Sequence, residues 1–246
     1  MSERMENTLR TYGGLILITT VLWDVDNTLL DFQAAESAAV RTLFNEFGLG
    51  ECTDEMIRCY SAINEIWWQR LERNEITKPQ VLVGRYEQFF SEIGVDPGLA
   101  PAFNERYQLC LGDTIVYRDD SLNLIKSLRG KVRQYVVSNG TVVAQSKKLR
   151  LSGLGALMDG VFLSEELGIE KPNAGFFDRV FERIAPADRS ATVIVGDSLT
   201  SDIRGGISYG IRTCWYNPGK KPVPAGWAID YVISDLHEIL PILGAE

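Results

Sequence analysis

The chain has 246 residues, a length that suits one domain of ordinary to large size or one domain carrying an insertion. Apolar residues make up 45% and charged residues 24%, which is typical of a folded globular protein and argues against extensive disorder. The formal net charge of -8, without any basic run, argues against binding of a nucleic-acid polymer. A small phosphorylated substrate could still bind locally.

The N-terminal residues and the cysteines bear on the cellular compartment of the protein. Residues 1–11 are polar and predict a loose extension. The apolar run LILITTVLW that follows is too short to span a membrane and lacks a cleavage site, so we expect a buried strand and no membrane association. The four cysteines have no metal-binding spacing, which favours free thiols in a reducing, cytoplasmic compartment.

Short runs rich in valine and isoleucine recur along the chain, with helical patterns between several of them. They lie at residues 15–23, 132–137, 192–195 and 211–215. This alternation predicts an α/β fold, a Rossmann-like doubly wound parallel sheet with helices on both faces. A short strand at residues 231–234 and a helix at residues 235–244 follow.

A helical stretch interrupts this alternation after the first strand. Apolar residues recur at helical spacing from Phe32 to Phe47 and from Ile57 to Leu71, and Thr77 with Gln80 forms a capping box for a third helix. We therefore expect a catalytic core of residues 1–32 and 117–246 and an inserted helical cap domain of residues 33–116. Ligands of open parallel sheets bind beyond the carboxyl ends of the strands, where this cap would cover them.

The first strand runs directly into DVDNT, which sets Asp24 and Asp26 one residue apart. Two close carboxylates raise each other's pKa, so such a pair normally needs a cation or a chemical task. Taken alone, the motif is equally compatible with an Asx turn in which Asp26 or Asn27 caps the next helix.

Two further polar motifs follow along the chain. In VVSNGT a strand ends at Ser138, whose hydroxyl and nearby backbone N–H groups could hold an anion at the start of the next helix, although a plain turn is also possible. In GIEKPN, Lys171 precedes a proline and so lies in extended backbone. The alternative for Lys171 is an ordinary solvated charge.

The fourth motif, IVGDSLTSDIRGG, again follows a strand and carries Asp197 and Asp202. The alternative is that Asp197 forms a turn and Asp202 lies on an exposed helix face. However, the carboxyl ends of parallel strands meet at one edge of the sheet, so the four motifs converge there. This convergence makes the set more specific than any of its parts.

As an ordered set, the four motifs resemble those of the haloacid dehalogenase-like superfamily, and residues 33–116 are similar to its first type of helical cap. The resemblance implies that Asp24 is a nucleophile and Asp26 a general acid and base. It also implies a phosphate-binding group and a set of Mg²⁺ contacts. These are Ser138, Asn139 and Lys171 for phosphate, and Asp24, the main-chain carbonyl of Asp26, and Asp197 for Mg²⁺.

Elementary chemistry agrees with these roles. Attack by Asp24 on phosphorus gives an aspartyl phosphate, which divides one displacement into two. Asp26 can protonate the leaving oxygen and then activate water. The clustered carboxylates would repel a phosphate ester without a divalent cation and Lys171, and oxygen ligands without histidine or cysteine favour Mg²⁺. We expect Asp202 to orient the residues that contact the metal and the phosphate without contacting either itself, and we expect Thr28 to hold Asp26.

The residues favour one reaction among those of the superfamily. Its dehalogenases lack the second carboxylate, so Asp26 favours hydrolysis of a small phosphomonoester over 2-haloacid dehalogenation. Its phosphonatases need a cap lysine, and only Lys78 is present, in the capping box. The single histidine, His237, is far in sequence from every motif, which disfavours a Ser-His-Asp hydrolase. A sugar-phosphate phosphatase, a phosphoglucomutase-like enzyme and a non-catalytic binding module stay open.

The cap sequences WWQRLERNEIT and VGRYEQFF resemble the branch of 5'-nucleotidases that act on pyrimidine nucleoside monophosphates. We therefore expect a nucleoside 5'-monophosphate as substrate. The hypothesis is that a base or sugar contacts one or more of Trp67, Trp68, Arg70, Arg85 and Tyr86. The alternative is that the aromatic side chains form the core of the cap and the arginines are solvated.

Overall fold

A computed structural model describes residues 11–12 and 15–245. A short antiparallel pair, β1 (Thr11–Tyr12) and β2 (Leu15–Ile16), precedes a parallel sheet with the strand order β5-β4-β3-β6-β7-β8. The strands of this sheet are β3 (Thr20–Trp23), β4 (Arg133–Ser138), β5 (Gly160–Leu163), β6 (Thr192–Gly196), β7 (Arg212–Tyr216) and β8 (Tyr231–Ile233).

The helices fall into two groups. Four follow β3 and precede the rest of the sheet: α1 (Phe32–Glu46), α2 (Asp54–Glu72), α3 (Lys78–Ile93) and α4 (Ala100–Cys110). The others lie between or after the later strands: α5 (Ser121–Leu128), α6 (Val142–Leu151), α7 (Ser164–Leu167), α8 (Ala174–Arg183), α9 (Arg204–Tyr209) and α10 (Ile239–Leu243).

Both faces of the sheet are apolar and covered. Alternate residues of β3 point to opposite faces, so Val21 and Trp23 pack with α5 and α10, whereas Leu22 packs with α8 and α9. The same alternation holds in β6, where Ile194 packs on the side of Leu22. Because neither face of the central strands β3 and β6 meets water, these strands read as continuous apolar runs. The predicted doubly wound α/β fold is confirmed.

The predicted strands differ from the observed ones in two places. The apolar run of residues 15–23 is not one strand, because only Thr20–Trp23 pairs on both sides, with β4 and with β6. Residues 15–16 pair instead with Thr11–Tyr12. Strand β5, only four residues long, was not predicted. The predicted loose extension lies outside the described residues, apart from Thr11.

The four inserted helices have an apolar core of their own, rich in aromatic rings. Tyr86 stacks on Tyr60 with ring centroids 5.0 Å apart, and Phe103 packs edge-on against Phe90. The side-chain oxygen of Gln80 accepts a 2.8 Å hydrogen bond from the backbone N–H of Thr77, as the capping-box pattern predicted. The helical insertion is thus confirmed, while its boundaries at residues 33 and 116 stay a prediction.

The chain leaves the core and returns to it side by side. Leu30 and Tyr117 form an antiparallel bridge. The backbone N–H of Asp31 donates to the carbonyl of Val116 at 2.8 Å, and that of Arg118 donates to the carbonyl of Leu29 at 3.1 Å. The inserted helices therefore connect to the sheet through two hydrogen-bonded segments.

Candidate active site

Three neighbouring strands end at the same edge of the sheet and carry three of the predicted site residues. Asp24 follows β3, Ser138 is the last residue of β4, and Asp197 follows β6. Lys171 joins them from the loop between α7 and α8. All four line a cavity of about 690 Å³ whose opposite wall is built by α1, α2, α3 and α4.

The buried Asp24 carboxylate is held at both oxygens. Its Oδ1 accepts from the ammonium of Lys171 at 3.0 Å, and its Oδ2 accepts from the hydroxyl of Thr28 at 3.1 Å. The Thr28 hydroxyl also accepts from the backbone N–H of Asp197 at 3.1 Å. The prediction that Thr28 holds Asp26 was wrong, because the turn after Val25 brings its hydroxyl back to the strand end.

Lys171 is 1% exposed, so the alternative of a solvated charge is wrong for it. Its ammonium donates to three acceptors: Oδ1 of Asp24, Oδ1 of Asp202 at 2.6 Å and the carbonyl of Val137 at 2.7 Å. Burial alone would lower the pKa of this amine. The charges of Asp202 and Asp24 raise it by more than burial lowers it, so the pKa lies above the ordinary value. Lys171 therefore stays charged.

Asp202 is also 1% exposed, so the alternative that placed it on an exposed helix face is wrong. It lies in a π-helical turn, Leu199–Ile203, directly after β6, and its Oδ2 accepts from the backbone N–H of Ser198 at 3.2 Å. A Cβ at Gly196 would collide with the Asp202 carboxylate. The glycine therefore makes room for Asp202 beside Lys171.

Asp24, Asp197 and Asp202 form an acidic cluster whose oxygens lie within 4.8 Å of one another. Burial raises the pKa of Asp24 to about 7, with Lys171 opposing and Asp202 and Asp26 adding to the rise. Burial, with the charges of Asp24 and Asp202, raises the pKa of Asp197 well above its usual range. The electrostatic environment therefore disfavours full ionisation of the cluster.

The chemistry of this cluster fits a divalent cation. Three carboxylates against the one ammonium of Lys171 leave a formal charge of -2 when all are ionised. The candidate ligands are hard oxygen atoms, and neither histidine nor cysteine belongs to the group found among the described residues. Such a donor set suits Mg²⁺, which prefers carboxylate oxygen.

Asp26 lines the cavity, and its side chain is held by α6. Its Oδ1 accepts from the ammonium of Lys148 at 2.5 Å, and its Oδ2 accepts from the side-chain amide of Gln145 at 2.6 Å. The Lys148 ammonium also lies 4.9 Å from the ring centre of Phe32. Neither donor was predicted from the sequence. Their spacing of three residues, which places them on one face of a helix after VVSNG, was the available signal.

Ser138 and Asn139 occupy the wall next to Lys171. The Ser138 hydroxyl accepts from the backbone N–H of Gly140 at 3.1 Å. Asn139 uses its side chain on the backbone of Lys171, accepting from its N–H at 2.9 Å and donating to its carbonyl at 2.9 Å. Asn139 thereby positions the loop that carries Lys171, and the phosphate contacts of both residues stay predictions.

The cap residues chosen from the sequence divide into two sets. Trp68 and Arg85 line the cavity. Trp67 instead packs over Gly84 and donates from its indole to Gln88 at 2.8 Å. The Arg70 guanidinium lies 4.9 Å from the ring centre of Trp67. Tyr86 is buried in the aromatic core of the inserted helices, so the alternative reading is correct for it.

The inserted helices also contact the edge of the sheet where β3, β4 and β6 end. Glu72, near the end of α2, lines the cavity and accepts a hydrogen bond from the hydroxyl of Thr200 in the π-helical turn. Burial raises the pKa of Glu72 to about 7, with the Thr200 hydrogen bond opposing and the charge of Asp202 adding to the rise. Glu72 was not predicted, because its position in an amphipathic helix does not reveal this contact.

Two expectations concern features outside the cavity. His237, which the sequence placed far from every motif, is exposed and contacts Asp235 two residues before it. Within the part of the chain that the structure describes, we find no helix with both the length and the apolarity that a membrane crossing requires.

Comparison with known proteins identifies the family. The family model for haloacid dehalogenase-like hydrolases matches residues 18–210, which include all four motifs. The chain is a haloacid dehalogenase-like hydrolase. It is 37% identical over 227 residues to the HAD-hydrolase YfnB of Bacillus subtilis, with 92% of this chain and 96% of YfnB covered. The resemblance inferred from the motifs is thus confirmed.

Two other relatives of this hydrolase carry names that describe an activity. The pyrimidine 5'-nucleotidase YjjG of Escherichia coli is 30% identical over 91% of this chain and 96% of its own length. The pyrimidine 5'-nucleotidase PynA of Streptococcus pneumoniae is 35% identical over 80% and 83%, respectively. The crystal structure of magnesium-bound YfnB superposes with a TM-score of 0.86 at 37% identity, covering 92% of this chain and 99% of that one.

Proposed function

We propose that this hydrolase is a Mg²⁺-dependent phosphatase that hydrolyses nucleoside 5'-monophosphates, with pyrimidine nucleotides preferred, through an aspartyl-phosphate intermediate. The observation that carries the proposal is the Asp24 carboxylate, fixed by Lys171 and Thr28 at the foot of a 690 Å³ cavity. A carboxylate held in this way is a positioned nucleophile, and a buried ammonium beside it attracts a phosphoryl group.

In the first half-reaction, an oxygen of Asp24 attacks phosphorus and the bond from phosphorus to the nucleoside oxygen breaks. Asp26 gives its proton to that leaving oxygen. In the second half-reaction, Asp26 takes a proton from water, the water oxygen attacks phosphorus, and the Asp24 carboxylate and inorganic phosphate are released. Lys148 and Gln145 bind the carboxylate form of Asp26, the form that activates water.

Asp24, Asp197 and the main-chain carbonyl of Asp26 are the proposed Mg²⁺ contacts. Bound there, the ion would supply the positive charge that offsets the acidic cluster and the incoming phosphate. Ser138, Asn139 and Lys171 are the proposed phosphate-binding residues, and Asp202 is proposed to orient Lys171, to which it is hydrogen-bonded. Residues 33–116 are proposed as the cap over this core of residues 1–32 and 117–246.

The proposed substrate class rests on two kinds of support. The relatives YjjG and PynA are named pyrimidine 5'-nucleotidases and match most of the chain. The cavity volume is within the range of small-molecule sites, which runs from roughly 300 to 1,000 Å³. A nucleoside monophosphate fits that range, with its phosphate towards Lys171 and its base towards the inserted helices.

The test is phosphate release from UMP, dTMP, ribose 5-phosphate and glucose 6-phosphate, each with Mg²⁺ and with excess EDTA. We expect release that needs Mg²⁺ and is fastest with the pyrimidine nucleotides. Release from sugar phosphates alone would contradict the proposed nucleotide substrate but not the proposed phosphatase reaction. Release that persists in EDTA would contradict the proposed dependence on Mg²⁺. Chloride release from 2-chloropropionate without any phosphatase activity would indicate a dehalogenase.

A further inference from the structure

A connected set of buried polar side chains lies in the wall that the inserted helices contribute to the cavity. The Glu36 carboxylate accepts from the hydroxyl of Ser61 and, at 2.8 Å, from the amide of Asn64. The amide oxygen of Asn64 accepts from Nη1 of Arg85 at 2.7 Å. The Nη2 group of Arg85 donates to the amide oxygen of Asn104 at 3.2 Å. These contacts join α1, α2, α3 and α4 around one guanidinium.

Arg85 has more donors than partners. A guanidinium carries five N–H groups, and Arg85 donates to Asn64 and to Asn104. Its Nε has no hydrogen-bond partner among the described residues, although the side chain is 1% exposed. The hydroxyl of the buried Tyr107 likewise lacks a partner within the described part of the chain. Buried donors without acceptors are unfavourable, so both groups are suited to a ligand that enters the cavity.

Two aromatic rings pack against the guanidinium of Arg85. Its carbon lies 4.9 Å from the ring centre of Tyr86 and 5.2 Å from that of Tyr107. Arg85 and Tyr107 both line the cavity that contains Asp24 and Lys171. A ligand whose phosphate lies against Lys171 would therefore share one cavity with the guanidinium.

The charges nearby favour a neutral acceptor over a second anion. The Glu36 carboxylate accepts hydrogen bonds at both oxygens and is linked to Arg85 through Asn64, so the guanidinium already has a buried counter-charge. A second phosphate or a carboxylate would face Glu36 as well as Arg85. A ring carbonyl accepts hydrogen bonds without adding charge, and Trp68 offers flat apolar surface in the same cavity.

We propose that Arg85, with the hydroxyl of Tyr107, forms the base-recognition site and donates hydrogen bonds to a ring carbonyl oxygen of the pyrimidine. This inference rests on the proposed nucleotidase function and adds the residues and the chemical group through which the base is selected. Glu36, Asn64 and Asn104 position the guanidinium. A sugar phosphate lacks a ring carbonyl, so we expect the site to distinguish nucleotides from sugar phosphates.

The first test compares kcat/KM for UMP with kcat/KM for ribose 5-phosphate, which lacks the base. We expect Arg85→Gln to lower the ratio of the two values at least about tenfold, because a site built to bind a carbonyl loses its donors. The matched control is Arg70→Gln, which alters an arginine outside the cavity and keeps the ratio. An Arg85→Gln protein with an unchanged ratio would overturn the inference.

A second test does not depend on the folding of the Arg85 variant. Sulfur accepts hydrogen bonds more weakly than oxygen, so we expect the unaltered enzyme to process either 2-thio-UMP or 4-thio-UMP with a lower kcat/KM than UMP. Tyr107→Phe, which removes only a hydroxyl, should also lower the ratio of kcat/KM for UMP to kcat/KM for ribose 5-phosphate. Equal kcat/KM values for all three nucleotides, with an unchanged ratio in Tyr107→Phe, would rule the site out.

These results separate the two proposals. If the unaltered enzyme hydrolyses UMP no better than ribose 5-phosphate, the nucleotidase function itself fails, and the base site fails with it. If the unaltered enzyme prefers UMP but neither the variants nor the thio analogues change that preference, the function holds and only the assignment of Arg85 and Tyr107 fails.

Discussion

The ammonium of Lys148 lies 2.5 Å from a carboxylate oxygen of Asp26, although the two residues are 122 positions apart in sequence. Lys148 is fully enclosed by protein, and its neighbour Gln145 holds the other oxygen of the same carboxylate. The proposed acid and base therefore has one defined orientation. That orientation depends on how α6 packs against the turn after β3.

Replacement of Lys148 tests this relationship. We expect Lys148→Met to lower kcat for UMP by about 10- to 100-fold with a smaller change in KM, because Asp26 loses its orientation while Lys171 still faces the phosphate. Steady-state kinetics at saturating Mg²⁺ measure both constants. The control is Lys147→Met, since Lys147 contacts Asp113 and the carbonyl of Leu109. Equal kcat values in the two variants would contradict a positioning role for Lys148.

The proposed role of Asp24 as the nucleophile is tested by Asp24→Asn. An amide cannot form the aspartyl phosphate, so we expect phosphate release to fall by at least roughly 1,000-fold. Release of inorganic phosphate from UMP measures the loss, and Asp113→Asn, at an exposed position, provides a control with the same change of side chain. Undiminished release by Asp24→Asn would exclude Asp24 as the nucleophile.

Thr28 links Asp24 to the backbone of Asp197, and its loss has a structural as well as a catalytic consequence. In Thr28→Val the backbone N–H of Asp197 loses its acceptor and Asp24 loses a donor. We expect the free energy of unfolding to fall by about 1–3 kcal/mol, together with a lower kcat. Denaturant unfolding and kinetics measure the two effects. Thr28→Ser keeps the hydroxyl, and a Ser variant as impaired as Val would show that the methyl group, not the hydrogen bond, matters.

The raised pKa of Asp24 makes the metal-free protein less stable as pH rises. Its ordinary value is 3.8 and burial raises it to about 7, so between these values the folded protein binds a proton that the unfolded chain has released. The free energy of unfolding therefore falls as pH rises through this window, by up to about 1.4 kcal/mol per pH unit from this group. Asp197 and Glu72 act in the same direction, because burial raises the pKa of each.

Thermal unfolding in EDTA between pH 4.5 and 8 measures this dependence. We expect Asp24→Asn to show a shallower fall in Tm with pH than the unaltered protein, since an amide does not titrate. Added Mg²⁺ should raise Tm more at pH 8 than at pH 5, because protons compete with the ion for the carboxylates. Parallel curves for the two proteins would contradict the assignment of the raised pKa to Asp24.

The sequence was sufficient to predict which residues meet at the edge of the sheet, because the carboxyl ends of parallel strands lie side by side. Once β3, β4 and β6 are neighbours, the residues after them must meet, which brings Asp24, Ser138 and Asp197 together. The partner of Thr28 could not be predicted in the same way, because it depends on how tightly the turn after Val25 closes.

Contacts made across packed helices were also beyond the sequence. Lys148 faces Asp26 only because of the rotation of α6 about its own axis, and Arg85 faces the cavity only because of how four inserted helices pack. Periodicity identifies which face of a helix is apolar, but not which polar residue at its margin is enclosed. For this reason Trp67, Trp68, Arg70, Arg85 and Tyr86 could not be told apart from sequence.

The bridge between Leu30 and Tyr117 has a consequence for how such an enzyme can change. Because the chain leaves the sheet and returns to it at adjacent points, all residues between those points form one long insertion in a single strand-to-helix connection. We expect that this insertion can be lengthened, shortened or exchanged for that of a relative while the strand order is kept. Substrate preference can thus diverge between lineages that inherit the same reaction.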